Sequence, residues 1–123
     1  MRALVVDDSR FIRDYLHSLF TQRGVHCVEA ANGDEGLACL LNLGPFTFAL
    51  VDWNMPGMSG LEMLQAARTD RALDQTRLIM MTTEAENDHI EAALAAGADE
   101  YMVKPFDEEG LFDKLRMAGI DGL

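Results

Sequence analysis

Short continuous apolar runs alternate along this chain with longer stretches in which apolar positions recur every three or four residues, and the alternation repeats five times. An unbroken apolar run of strand length marks a strand buried on both faces, and helices between such strands make a parallel sheet. Ala3-Leu4-Val5-Val6 is the first run, followed by Phe11, Ile12, Tyr15, Leu16, Leu19 and Phe20 at helical spacing and by Gly24 as a stop. Residues 26–30 predict a second strand, and Asn32-Gly33 punctuates it before a helix over 34–43 that Gly44-Pro45 ends. The third strand lies within 46–51, with Asp52 at its exit. After the loop Met55-Pro56-Gly57-Met58, Ser59 and Glu62 have the spacing of a capping box for a helix reaching about residue 69. A fourth strand over 78–81 precedes a helix over 87–96 that Gly97 can cap, and Tyr101-Met102-Val103 is the fifth. Lys104-Pro105 stops that strand, and Asp107, Glu108 and Glu109 open a last helix where acids favour the N-terminal dipole. The pattern reads as an α/β fold, one doubly wound (βα)5 domain over residues 1–123 with helices on both faces of a five-stranded parallel sheet.

Composition narrows the class without naming a function. With 123 residues, 49% of them hydrophobic and 25% charged, the chain has the make-up of a soluble globular domain. No apolar run approaches the roughly 20 residues of a membrane span. The N-terminus turns acidic at Asp7-Asp8 after a few apolar residues and lacks a signal-peptide pattern, so a cytoplasmic protein with no membrane partner is expected. A net charge of −11 leaves no basic excess for phosphate backbones, which excludes direct nucleic-acid binding. Cys27 and Cys39 have neither metal-like spacing nor a plausible disulfide context and are expected to be ordinary buried or half-buried thiols.

Ligands of an open parallel sheet bind beyond the carboxyl ends of the strands, where strand order reverses. The strand exits of this chain carry Asp7-Asp8, Asp52, Thr82 and Lys104. Each alone has a plain explanation: a cap, a turn residue, β-propensity, a solvated charge. Together they put three carboxylates, a hydroxyl and an ammonium at one sheet edge. Carboxylates so crowded resist joint ionisation unless a cation neutralises them, and an all-oxygen donor set suits a hard ion such as Mg²⁺, with Mn²⁺ able to substitute. Asp52 and one or both of Asp7 and Asp8 would supply oxygens, with a backbone carbonyl near Asn54 as a further donor. Lys104 offers a fixed positive charge for a transferring phosphoryl group, and Thr82 a hydroxyl for one of its oxygens.

Four segments in order, Val5-Val6-Asp7-Asp8-Ser9, Asp52-Trp53-Asn54-Met55-Pro56-Gly57-Met58-Ser59-Gly60, Met81-Thr82-Thr83-Glu84-Ala85 and Tyr101-Met102-Val103-Lys104-Pro105-Phe106, resemble the response-regulator receiver domains, notably the CheY-like chemotaxis type. The resemblance covers nearly the whole chain. It implies a flavodoxin-like sheet of order 2-1-3-4-5, Asp52 as phospho-acceptor, Asp7 and Asp8 as the Mg²⁺-positioning pair, and Lys104 as the phosphoryl contact before a cis Lys104-Pro105 bond. It further implies Thr82 and Tyr101 as a switch pair and Asn54 and Glu84 as tuners of dephosphorylation. Thr83, where many relatives carry a smaller residue, would narrow access to the phosphoryl group. The implied partners are a sensor histidine kinase and an output protein on the face of the fourth helix, fifth strand and fifth helix. The implied assembly is a monomer or a weak phosphorylation-dependent dimer. The last helix, Leu111 to Arg116, is less basic than in motor-binding relatives, which leaves the output partner open.

Two other functions compete. An Asp-nucleophile phosphatase needs a second acid two residues after its nucleophile, and this chain has Asn54 there. A flavodoxin-like cofactor binder needs a phosphate cradle after the first strand, where Asp7-Asp8 would repel phosphate. The same receiver as input module of a longer regulator is the nearer alternative, with a stand-alone signalling switch expected in preference to it.

Overall fold

The computed structural model describes residues 1–83 and 87–123. Its elements run β1 (Arg2–Val6), α1 (Arg10–Gln22), β2 (His26–Ala30), α2 (Gly33–Asn42), β3 (Phe48–Asp52), α3 (Gly60–Ala67), β4 (Arg77–Thr82), α4 (Asn87–Ala95), β5 (Glu100–Val103) and α5 (Glu108–Met117). The strands form one parallel sheet ordered β2-β1-β3-β4-β5, so strand order reverses between β1 and β3. This is the doubly wound fold expected.

Side chains alternate across a strand, so each strand feeds two cores. Val5, Leu50, Met81 and Met102 pack with Leu16 and Phe20 of α1 and Leu111 and Phe112 of α5. Val6, Val51, Met80 and Ala49 pack on the other face with Leu40 of α2, Met63 and Leu64 of α3, and Ala93 of α4. All five residues of β3 are buried, which explains its unbroken apolar run up to Asp52. Helix starts are fixed by side-chain acceptors: Ser9 takes the N–H of Ile12, Asn32 that of Glu35 and Asp107 that of Gly110. Ser59 and Glu62 complete the reciprocal capping box. Gly24 and Gly97 take positive φ after α1 and α4, as helix stops require.

The structure departs from the sequence pattern in four places. Phe11 lies on the apolar stripe by spacing yet is 77% exposed and packs into neither core layer. β3 takes in Asp52 as its last residue, because the ladder with β4 continues as far as the pairing of Asp52 with Met81. α3 ends at Ala67, with Arg68 as its cap, before a 3₁₀ turn over Arg71–Leu73 that no periodicity announces. β4 extends at both ends and takes in Thr82. Cys27 is buried and Cys39 half-buried, both as free thiols.

Candidate functional site

The register that pairs Val6 with Val51 carries β1 and β3 together to their exits, and there Asp7 and Asp52 emerge side by side. Asp7 is fully buried and Asp52 is 6% exposed, whereas Asp8 is exposed at the rim. Carboxylate oxygens of all three lie within 4.8 Å of one another. Lys104 reaches across from the end of β5: its Nζ donates to Asp7 Oδ2 at 2.7 Å and to Asp52 Oδ1 at 3.2 Å. Its own position is fixed by backbone, since the Lys104 N–H donates to the Thr82 carbonyl at 2.7 Å. The Lys104-Pro105 bond is cis, as the resemblance implied.

Asp7 is held from three further sides. Its Oδ1 accepts the Ser9 N–H at 2.8 Å, its N–H donates to the Ala30 carbonyl at 3.1 Å, and its carbonyl accepts from the Arg13 guanidinium at 2.6 Å. Arg13 in turn lies 3.5 Å from Glu29 of β2, whose other oxygen is 2.9 Å from His17 Nδ1. Sequence reading missed Arg13. Its signal was a basic residue one turn into a helix whose spacing places it beside the apolar stripe and six positions after Asp7.

The electrostatics follow from this packing. Burial first, and the neighbouring Asp7 charge second, push the Asp52 carboxyl up to about 6 despite the opposing pull of Lys104. Burial pulls the Lys104 ammonium down, but its bonds to Asp7 and Asp52 outweigh that and hold it above its ordinary range. Three carboxylates thus face one ammonium, leaving two negative charges uncompensated at a mouth built of oxygen donors. That donor set fits a hard divalent cation and offers no soft ligand.

The remaining predicted residues fall into three groups. Thr82 is buried at the end of β4, and its register partner is Val103, which places it on the same sheet face as Tyr101 two residues earlier. Tyr101 is half-buried against the core of that face, with Lys114 Nζ 4.5 Å from its ring centroid. Asn54 is exposed in the β3–α3 loop beside Trp53, whose ring packs at a tilt against that of His89 of α4, centroids 4.7 Å apart. Thr83 is exposed and shares a groove with Lys104. Glu84 lies outside the described residues.

The model of the response regulator receiver domain matches residues 3–116. The chain is 38% identical over 117 residues to the chemotaxis protein CheY of Pseudomonas aeruginosa, covering 94% of this chain and 93% of that one. Among solved structures, it superposes on the chemotaxis response regulator CheY4 of Vibrio cholerae with a TM-score of 0.89 at 33% identity, covering 95% of this chain and 97% of that one. It superposes on the response regulator TrrA of Thermotoga maritima, solved in complex with Mg²⁺-BeF, with a TM-score of 0.82 at 32% identity over 95% and 97% of the two chains. No described helix is long and apolar enough to cross a membrane.

Proposed function

The chain belongs to the response regulator receiver family, and on that premise we propose that it is a signalling switch whose Asp52 accepts a phosphoryl group in a Mg²⁺-dependent reaction. The observation that carries this reading is the Lys104 ammonium spanning buried Asp7 and Asp52 at the reversal of strand order, with Asp8 at the rim. The donor is a phosphohistidine of a sensor kinase or a small phosphodonor.

An Asp52 carboxylate oxygen attacks phosphorus in line, the bond to the leaving group breaks, and its electron pair departs with that group. With its pKa near 6, Asp52 is predominantly ionised at neutral pH and thus competent as the nucleophile. Lys104 faces the charge that spreads over the phosphoryl oxygens and needs no reorganisation to do so. Asp7, Asp8 and Asp52, with the Asn54 carbonyl, would hold the cation, which supplies charge neutralisation for the incoming phosphate, and Mn²⁺ would serve in its place. The Ser9 and Arg13 bonds keep Asp7 aimed while Lys104 shifts toward the phosphoryl group.

Thr82 then donates its hydroxyl to a phosphoryl oxygen. Because Thr82 and Tyr101 share one sheet face, its movement changes the space beside the Tyr101 ring, and the face of α4, β5 and α5 reports the change to an output protein. Asn54 and Glu84 tune the hydrolysis that resets the switch, and Thr83 narrows the approach to it. The curated relatives are chemotaxis proteins, which supports chemotaxis signalling in the cytoplasm as the pathway. Residues 1–123 act as one receiver unit, a monomer or a weak phosphorylation-dependent dimer.

The test is incubation with acetyl phosphate and Mg²⁺ followed by intact-mass measurement. Wild type is expected to gain one phosphoryl group and Asp52→Asn none. Absence of the gain in wild type, or an equal gain in the variant, refutes the assignment.

A further inference from the structure

Phe11 packs into neither core layer and is the most exposed of the large apolar side chains among the described residues. It lines a concave pocket of about 430 Å³ together with Tyr15 of α1 and with Pro105 and Phe106. Lys104 and Thr83 belong to the same lining. Lys104 is the same side chain whose Nζ contacts Asp7 and Asp52, so pocket and site share a wall. The lining is largely apolar, and Lys104, which belongs to it, carries its ammonium into the adjoining site. A ligand that complements both has an anionic head and a short apolar tail, and a cavity of this volume is of small-molecule size.

Resting on the function proposed above, we infer that this pocket receives the leaving group of a small phosphodonor, so that apolar acyl phosphates of the size of butyryl phosphate are preferred over acetyl phosphate. The Asp52 oxygen forms the new bond to phosphorus, the phosphorus–oxygen bond to the acyl group breaks, and the electron pair leaves with the carboxylate. No proton, oxidant or reductant is needed. The phosphoryl head faces Lys104 and the cation-binding carboxylates, and the acyl chain lies between Phe11, Tyr15 and Phe106.

The experiment compares second-order rate constants for Asp52 phosphorylation by butyryl and acetyl phosphate, with Mg²⁺, by intact mass. The two leaving carboxylates have almost the same basicity, so the ratio reads binding of the chain rather than intrinsic reactivity. Burial of one methylene is worth about fourfold, and two incompletely buried ones predict a preference of roughly tenfold for butyryl phosphate. Phe11→Ser removes the open wall and is expected to bring the ratio near one, with little risk to folding because Phe11 is 77% exposed. Leu41→Ser, an exposed apolar position on α2 remote from the pocket, keeps the preference. Equal rates in wild type, or a preference that survives Phe11→Ser, overturn the inference and leave the pocket to a side chain of a protein phosphodonor. Acetyl phosphate separates the two claims: a pocket that shows no preference leaves phosphorylation of Asp52 by acetyl phosphate intact. Failure of both donors refutes the proposed function and this inference with it.

Discussion

Asp52 stands under opposing pressures that set how the fold responds to pH. Its carboxyl moves from an ordinary value of 3.8 to about 6, chiefly because burial removes it from water. A raised acid favours the folded state only while protonated there. Below about pH 4 both folded and unfolded chains hold the proton and nothing is lost. As pH rises through 6 the folded chain must carry a buried charge that the unfolded chain carries in water. Stability in the absence of divalent cation therefore falls between about pH 4 and pH 6, by roughly 3 kcal/mol from this group. Asp52→Asn is expected to be more stable than wild type by about 2 kcal/mol at pH 7.5 without Mg²⁺, the gain vanishing near pH 4. Urea denaturation at both pH values measures it, and a less stable variant at pH 7.5 contradicts the account. Mg²⁺ should raise the wild-type midpoint more than that of the variant.

Two contacts decide how the elements around Asp52 are seated. A Cβ at Gly60, the first residue of α3, would overlap the carbonyl oxygen of Asp52 and crowd Trp53 Cα at 3.1 Å. Gly60→Ala is expected to cost about 2 kcal/mol and, by displacing the Asp52 backbone, to slow phosphorylation by acetyl phosphate at least tenfold. A rate within twofold of wild type would show that the turn yields elsewhere. Farther from the site, Arg68 caps α3 and donates to the carbonyls of Gly97, Leu73 and Thr76 and to Asp99, at 2.8 to 3.0 Å. It thereby fastens the 3₁₀ turn, the start of β4 and the α4–β5 turn together. Arg68→Ala should destabilise by about 3 kcal/mol, and Arg68→Lys should recover little of it, because an ammonium cannot fork to several acceptors. Chemical denaturation of the two variants tests this. Such a hub was invisible in the sequence: Arg68 reads there as a charge at a helix end, and its partners lie up to 31 positions away.

At the scale of the whole molecule, a net charge of −11 repels itself, and the three carboxylates at the sheet edge are the part of that charge an ion can relieve. Screening acts on both. Raising NaCl from about 0.05 to about 0.5 M is expected to raise the melting temperature of the cation-free protein by a few degrees, since the Debye length shrinks from above 10 Å to below 5 Å. The same salt should weaken Mg²⁺ binding, followed by calorimetric titration. A melting temperature that falls with salt would mean that the surface ion pairs outweigh the net repulsion.

The order of strands and helices was legible because parallel strands buried on both faces must read as unbroken apolar runs, and helices covering them must repeat every three to four residues. The candidate site was legible for a related reason: the polar residues that end those runs fall at one edge of the sheet whatever their separation in the chain. What the sequence could not determine is which of those residues are sealed and which are open. Burial of Asp7 and Asp52 but not Asp8, the bridge from Lys104 to both, and the Arg13 bond to Asp7 all depend on distances set by helices packed on both faces. Phe11 makes the same point in reverse. Its spacing assigned it to the core, yet the packing of α1 leaves it exposed, lining a pocket that shares Lys104 with the site.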